Sequence, residues 1–351
     1  MQQGQNSTAR DTSSSRKTWY RQALGIIISL VCLWLTVRNV NGSDVYEALR
    51  HLQWSFVLLG ICSLAIGYAA RIQRWKLMLN SAGSNISFSK CAAPFLGSIT
   101  LNNVLPLRAG DVVRAFVFPA AIGVNKTDAV ASIFLERLID LLTLLMCLGL
   151  GLLFSPSLNM PSWLTDMATV LTMLGIALLL CLMTLDLFVC ALAEKVQSYF
   201  QTKGFVRIAN LLDVINGILR SLKAMSGFSK MSSLLLLSAI VWAGESGLYY
   251  FILMSLKIEF TGPFIALTVM AIATLSTLVP SSPGYVGPFH LAASSTLLML
   301  GADQAEATSF AFIAHLGVWL PTTLAGSLAM LSQPKLFNGR AESAQVQNIS
   351  T

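Results

Sequence analysis

The chain has 351 residues, of which 55% are hydrophobic and only 11% are charged, with a mean hydropathy of +0.68. Soluble domains carry about 25% charged residues, so this composition excludes an ordinary soluble fold. Several apolar runs approach or exceed the roughly 18 to 20 residues with which a helix crosses a bilayer. We therefore predict an all-α integral membrane protein with one membrane domain.

The formal net charge is +7. Basic residues accumulate in the short cytoplasmic loops of membrane proteins, so this charge needs no nucleic-acid partner to explain it. The six cysteines lie mostly inside apolar runs, with no C-x-x-C pair and no histidine close enough to complete a zinc site. We accordingly expect neither a metal nor a cofactor.

A polar tail, residues 1–22, precedes an apolar run that lacks a small-residue cleavage site and is expected to stay as a helix; a cleaved signal peptide is the alternative. Hydropathy predicts about six full spans, at residues 23–37, 54–70, 129–153, 169–190, 232–256 and 308–331. Two further apolar pieces, 91–107 and 264–300, are broken by proline and glycine. With a polar tail at 332–351, the membrane domain is predicted at 23–331.

Loop charge predicts how the two broken pieces sit in the membrane. The N-terminal tail and the segment that carries Arg71, Arg74, Lys76 and Lys90 are both basic and are assigned to the cytoplasmic side. The basic segment 191–231 is also cytoplasmic only if 91–107 enters the membrane and returns on the same side. The same reasoning makes 264–300 re-entrant from the outside and both termini cytoplasmic, in a cell membrane of the inner or plasma type.

Within the basic segment, apolar residues recur at a helical period from Ile208 to Leu222, with Arg207, Arg220 and Lys223 off that stripe. This pattern predicts an amphipathic helix on the inner membrane surface, with a short core helix as the alternative.

The two broken pieces resemble each other. The first reads NVLPLRAGDVV and the second TLVPSSPGYVG, so that Pro106 aligns with Pro280 and Gly110 with Gly284. Matching interruptions in two oppositely oriented segments are typical of an inverted repeat, in which the broken segments mark a binding site. Non-helical backbone at membrane depth also requires a protein interior or a wet cavity around it.

Several ionisable residues fall inside predicted spans, where charges are costly and usually face a cavity or the bundle interior. Glu136 and Asp140 lie on one helix face, and Arg137 can pair with Asp140 three residues later. The alternatives are a structural ion pair and a part in substrate or proton handling. Glu245, midway along its span, is predicted to be a functional residue. His290 and His315 are either interhelical hydrogen-bond donors or proton relays.

Arg108, Asp111 and Arg114 flank the first break, where Arg108 and Asp111 could form a basic pocket beside a half-helix N-terminus. The alternative is that these side chains reach toward the inner interface.

The runs LNNVLPLRAGDVVRAFVFP, ASIFLERLIDLLTLL, LVPSSPGYVGPFH and AHLGVWLPTTLAG together resemble the lysylphosphatidylglycerol synthase transmembrane-region family, also called flippase-like membrane proteins. The similarity extends from about residue 29 to residue 331. It implies a membrane domain that moves or binds a lipid with a phosphate-bearing headgroup; in the multiple peptide resistance factor this domain flips an aminoacylated phospholipid.

Two positions depart from the family pattern, because His290 and His315 stand where the family commonly has Glu and Arg. The resemblance covers only the membrane part of these proteins and not their soluble aminoacyl-transferase domain, so we do not expect this chain to be an enzyme that synthesises lysylphosphatidylglycerol.

The leading hypothesis for the function is a lipid flippase or transporter. The alternatives are a non-transporting membrane partner of a separate lipid-modifying transferase and a membrane enzyme acting on a lipid-linked phosphate. The residues predicted to bind substrate are Asn103, Pro106, Arg108, Gly110, Asp111, Arg114, Glu136, Arg137, Asp140, Glu245, Pro280, Pro283, Gly284, Gly287, His290 and His315.

Overall fold

The computed structural model describes residues 24–38, 40–154, 187–203, 205–225, 227–259 and 262–336, with isolated positions between 166 and 180. Every regular element in these ranges is helical, so the predicted all-α membrane class is confirmed. We number the α-helices in chain order: α1 Leu24–Val37, α2 Gly42–Arg50, α3 Trp54–Ser81, α4 Phe88–Val104, α5 Ala109–Phe116, α6 Phe118–Ile122, α7 Lys126–Phe154, α8 Leu187–Thr202, α9 Val206–Met225, α10 Phe228–Ser255, α11 Pro263–Ser276, α12 Pro288–Met299 and α13 Gln304–Ser332.

Four of these helices, α3, α7, α10 and α13, are long and apolar enough to cross a membrane, with 28 or 29 residues each. At 1.5 Å per residue each is roughly 42 Å long, which exceeds a hydrocarbon core of about 30 Å. They correspond to the predicted spans at 54–70, 129–153, 232–256 and 308–331. The described part of the span predicted at 23–37 is the 14-residue helix α1, and most of 169–190 lies outside the described residues.

The prediction for α3 was wrong at its end. We predicted that the span ends at residue 70 and that Arg71 and Arg74 belong to a basic cytoplasmic segment, but the helix continues to Ser81, with Arg74 fully buried and the Arg71 side chain only 11% exposed. Lys and Arg near the end of an apolar run usually mark a loop. Here the helix continues because acidic side chains from neighbouring helices neutralise the two arginines.

Both proline- and glycine-containing pieces form a helix, a break and a second helix. In the first, α4 ends at a 3₁₀ turn, Pro106–Arg108, in which Leu107 and Arg108 have left-handed backbone angles (φ 59° and 51°). After the turn, α5 packs back on α4 so closely that a Cβ on Gly110 would overlap the carbonyl oxygen of Ser98. The second has the turn Pro283–Tyr285 between α11 and α12, with φ 74° at Gly284 and 60° at Tyr285.

These angles correct the register in which we aligned the two breaks. Each turn consists of a proline followed by two residues with positive φ, and a glycine lies four residues after the proline. Pro106 therefore corresponds to Pro283 rather than to Pro280, and Gly110 corresponds to Gly287. The sequence permitted both registers because Pro280 is also followed by a glycine four residues later.

Helices α3 and α10 pack closely through small residues. A Cβ on Gly244 would lie 2.7 Å from the carbonyl oxygen of Ser63 and 2.8 Å from the Cα of Gly67, and the Ser63 hydroxyl donates to the Gly244 carbonyl oxygen at 3.0 Å. Small residues let membrane helices approach in this way. The close approach brings the following residues, Arg71 on α3 and Glu245 on α10, within reach of each other.

The basic segment contains α9, whose C-terminal half packs into the protein rather than lying free on a surface. Leu222 and Met225 are buried with Met78 and Leu135 of α3 and α7. The Ser221 hydroxyl also donates to the Asp128 carboxylate at 2.5 Å. The N-terminal half of α9 is largely exposed, so the helix combines the amphipathic surface helix and the core helix that we considered.

The predicted tail at 1–22 and residues 337–351 lie outside the described part of the chain. Directly after α13, Leu336 is buried beside Ala93 and Phe118. The beginning of the predicted C-terminal tail therefore packs on the membrane domain.

Candidate binding site

A cavity of 330 Å³ lies between the two breaks and the four long helices. This volume is at the lower end of the roughly 300–1,000 Å³ of small-molecule sites, so it suits a single headgroup or a small metabolite. Its polar and aromatic lining includes Tyr68, Arg71, Asn102, Asn103, Arg108, Arg137, Asp140, Trp242, Glu245, Thr274, Thr277, Tyr285, His315 and Trp319.

The two breaks touch each other at one edge of this cavity. A Cβ on Gly284 would lie 3.3 Å from the Asn103 carbonyl oxygen, and the Trp319 indole donates to that same oxygen at 3.4 Å. His315 Nε2 lies 2.7 Å from the Gly284 carbonyl oxygen. Because α13 supplies both Trp319 and His315, this helix contacts both breaks and forms hydrogen bonds with a backbone carbonyl oxygen at each of them.

Buried charges form a network beside the cavity. Arg114 on α5 is fully buried and pairs with Glu136 on α7 at 3.0 Å, while Arg74 on α3 is fully buried and pairs with Asp140 at 2.7 Å. The remaining pairs are Arg71–Glu245 at 2.6 Å, Arg71–Asp140 at 4.0 Å, Arg114–Asp111 at 3.9 Å, Arg137–Asp111 at 3.2 Å, Arg137–Glu136 at 3.7 Å and Arg137–Asp140 at 3.9 Å. Buried charges of this kind persist only when they are paired.

Sequence reasoning found Arg137 and its partner Asp140, and their pairing is confirmed. It missed Arg71 and Arg74, which link α7 to α3 and α10. The signal that could have found them is their spacing of three, which places both on one helix face directly after an apolar run.

Arg108 differs from the four arginines of the charge network, which are all paired with carboxylates. It lines the cavity, but within the described part of the chain no carboxylate oxygen lies within 4.0 Å of it. Its guanidinium stacks over the Tyr285 ring at 5.6 Å and donates to the Thr277 hydroxyl at 3.4 Å. Arg108 and Tyr285 occupy corresponding positions in the two turns, so the two breaks meet through these side chains.

The pocket that we predicted from Arg108 and Asp111 does not form. Asp111 lies behind the break, where the Asn102 amide donates to its carboxylate at 3.0 Å. The Asp111 backbone N–H in turn donates to the Asn102 side-chain oxygen at 3.1 Å, so this first-turn N–H of α5 already has a partner.

The predicted site residues divide into four groups. Those that line the cavity are Asn103, Arg108, Arg137, Asp140, Glu245, Gly284 and His315. Asp111, Arg114 and Glu136 lie in the charge network behind it. Pro106, Gly110, Pro283 and Gly287 shape the two turns, and Pro280 is exposed before the second one.

The fourth group is His290, which is buried behind the cavity. It lies at the start of α12, where its Nδ1 accepts the Gly287 N–H at 3.4 Å. Its ring lies 4.6 Å from the ring of His315, between centroids. Only His315 of this pair reaches the cavity.

Fold and site together define an all-helical membrane protein in which buried ion pairs and two broken helices border a cavity with charged, polar and apolar side chains in its lining. The family model described as the lysylphosphatidylglycerol synthase TM region matches residues 22–326. The chain therefore belongs to this family, as its motifs indicated.

Two relatives show how the similarity extends along other proteins. A UPF0104 membrane protein of Pyrococcus horikoshii is 23% identical over 341 residues, which cover 89% of this chain and 96% of that protein. The glycosyltransferase AglD of Haloferax volcanii is 24% identical over 360 residues, which cover 92% of this chain and 56% of that protein. The chain thus spans about half the length of the Haloferax protein.

Proposed function

We propose that this chain is a flippase-type lipid transporter of the cell membrane, whose cavity binds the phosphate of a lipid headgroup. The observation that carries the proposal is Arg108, a cavity-lining arginine without a carboxylate partner among the described residues. A guanidinium is suited to phosphate because it offers several N–H donors in a planar fork. The family membership supports a lipid as the source of that phosphate.

The positions of the breaks support the transport part of this proposal. In many transporters, substrate binds at the interface of two structural repeats, where interrupted helices meet. Here the two corresponding turns meet at the cavity edge through Arg108 and Tyr285. We propose that they belong to an inverted repeat of two re-entrant elements that enter from opposite sides, within six full spans and with both termini cytoplasmic.

The test is transbilayer movement of labelled phospholipids in reconstituted vesicles. We expect the wild-type protein to accelerate movement of at least one phosphate-bearing lipid over empty vesicles. Arg108→Ala should reduce that acceleration about tenfold or more, because a charge-assisted hydrogen bond to phosphate is lost. The matched control is Arg50→Ala, which removes an exposed arginine of α2 outside the cavity.

Arg50→Ala should move lipid at the wild-type rate. If Arg108→Ala also does so while the wild type is active, the headgroup does not bind at this cavity. If no lipid moves faster than in empty vesicles, the proposal that this chain transports lipid is wrong.

The second candidate is a non-transporting membrane partner of a lipid-modifying transferase. It is favoured by the Haloferax relative, which is named a glycosyltransferase and extends well beyond the region that this chain matches. The same cavity would then present a lipid-linked substrate to a separate enzyme. Absence of transport, together with co-purification of a transferase, would favour this candidate.

A further inference from the structure

The charge balance around the cavity selects a particular class of headgroup. Among the residues that the structure describes, the network and cavity contain five arginines, Arg71, Arg74, Arg108, Arg114 and Arg137, and four carboxylates, Asp111, Glu136, Asp140 and Glu245. In formal charges, one positive charge remains, and it resides on Arg108. Buried charge is costly unless it is compensated, and a ligand with one negative charge would bring this balance to zero.

Each of these four carboxylates already has an arginine within 4.0 Å of it. Both oxygens of Asp140 are buried and face Arg74 and Arg71, and Glu245 is held by Arg71 at 2.6 Å. Asp111 and Glu136 lie behind the cavity, paired with Arg137 and Arg114.

Cations outnumber carboxylates in the described lining of the cavity, which contains Arg71, Arg108 and Arg137 against Asp140 and Glu245. Arg137 is 36% exposed, and Arg108 is half-buried with no carboxylate against it in the described part of the chain. Three aromatic rings of the lining that could attract an ammonium group already have a guanidinium over them, because Arg71 stacks over Tyr68 and Trp242 and Arg108 stacks over Tyr285.

We infer that the cavity takes a phosphodiester headgroup of net charge −1, with an otherwise uncharged substituent, and discriminates against zwitterionic and aminoacylated headgroups. This inference rests on the proposed function in one respect, namely that the cavity is the headgroup site. A zwitterionic headgroup would leave the excess charge uncompensated and place an ammonium among arginines. An aminoacylated headgroup would add to the positive charge.

Equilibrium binding in detergent tests the inference independently of transport. Phosphatidylglycerol, phosphatidylethanolamine and lysylphosphatidylglycerol with identical acyl chains carry net charges of about −1, 0 and +1. Their binding can be followed through the fluorescence of tryptophans, two of which, Trp242 and Trp319, line the cavity. We expect phosphatidylglycerol to bind about tenfold or more tightly than either of the other two.

A charge series at one position provides the sharper test. Arg108→Gln brings the balance to zero and should abolish the preference for phosphatidylglycerol. Arg108→Glu makes the balance negative and should make lysylphosphatidylglycerol the tightest ligand. Such a gain of affinity cannot come from a misfolded protein.

The matched control is Arg50→Glu, which changes the charge of the whole protein equally at an exposed position outside the cavity. It should keep the wild-type order of affinities. Equal changes in Arg50→Glu and Arg108→Glu would mean that the overall protein charge, rather than the cavity, selects the lipid.

The remaining outcomes separate this inference from the proposed function. If lipids move across vesicles but the three headgroups bind equally, or the lysyl lipid binds best to the wild type, the inference is overturned and transport stands. If nothing moves but the order of affinities holds, the inference is supported and transport fails. If soluble glycerophosphoglycerol binds as tightly as phosphatidylglycerol, the lipid source of the headgroup is overturned.

Discussion

Arg114 is a fully buried arginine of the charge network. Its nearest carboxylate is Glu136 at 3.0 Å, and its guanidinium also lies over Trp75 and Phe95. Glu136→Gln should lower the free energy of unfolding by about 3–5 kcal/mol, because it leaves a buried cation with only Asp111, at 3.9 Å. Unfolding in mixed detergent micelles measures this loss.

The double variant Arg114→Met with Glu136→Leu serves as the control, since it removes both charges and keeps apolar volume. It should recover most of the lost stability. If the double variant is no more stable than Glu136→Gln, the network does not stabilise through charge compensation.

Gly110 allows α5 to fold back on α4. A Cβ at this position would overlap the carbonyl oxygen of Ser98, which belongs to a helix backbone and cannot move aside easily. We expect Gly110→Ala to lower the free energy of unfolding by about 1–3 kcal/mol, as in other overpacked interiors. Gly149→Ala is the matched control, because a Cβ there has no heavy atom within 4 Å. A shift of the unfolding transition of similar size in both variants would contradict the prediction.

At the scale of the helical elements, the first break contains backbone strain that a single substitution can release. Leu107 is an exposed leucine with φ 59°, a conformation that is unfavourable by roughly 1 kcal/mol for an L-residue and free of cost for glycine. Leu107→Gly should therefore leave the free energy of unfolding unchanged or raise it by up to about 1 kcal/mol.

Leu105, two residues earlier, has an ordinary extended backbone with φ −101°. Leu105→Gly should lower the free energy of unfolding, because it only increases the freedom of the unfolded chain. Thermal unfolding of the two variants in detergent compares them, and an equal loss of stability would show that the turn at Leu107 is not strained.

The same element shows which parts of the structure the sequence could predict. Length and apolar content locate α3, α7, α10 and α13, because a helix that crosses lipid must satisfy all its backbone hydrogen bonds internally. The register of the two breaks was ambiguous, since proline and glycine four residues apart occur at both Pro280 and Pro283. Only the backbone angles, which depend on tertiary packing, select Pro283.

The candidate site was predictable to a similar extent. Charges within an apolar span identified Glu136, Arg137 and Asp140, because isolated charge in lipid is costly. Arg71 and Arg74 were missed because the same charges at the end of an apolar run also fit a cytoplasmic loop. Their partners Glu245 and Asp140 are 174 and 66 residues away in the chain, so no local pattern reports the pairing.

At the scale of the whole molecule, the arrangement of the helices decides what the charges do. The glycine and serine contact between α3 and α10 holds Arg71 against Glu245, and Arg71 with Arg74 then reaches Asp140 on α7. Three long helices are therefore joined by ion pairs beside the cavity, and the two breaks complete its wall.

The proposed topology makes a prediction about which loops face which side. With six full spans and two re-entrant elements, Lys203, between α8 and α9, lies on the cytoplasmic side, and Glu259, between α10 and α11, lies outside. Both side chains are exposed. In a variant without native cysteines, Glu259→Cys in intact cells should react with a membrane-impermeant maleimide, whereas Lys203→Cys should react only after the membrane is permeabilised.

The pair of positions discriminates between the possible crossings because α10 is the one described helix between them that is long and apolar enough to cross a membrane. Labelling of both positions from the same side would mean that α10 does not cross the membrane. A reversed pattern would leave the number of crossings between them intact but would invert the proposed orientation of the protein. Only the expected pattern keeps the basic residues of segment 191–231 on the cytoplasmic side, as the distribution of Lys and Arg in membrane proteins requires.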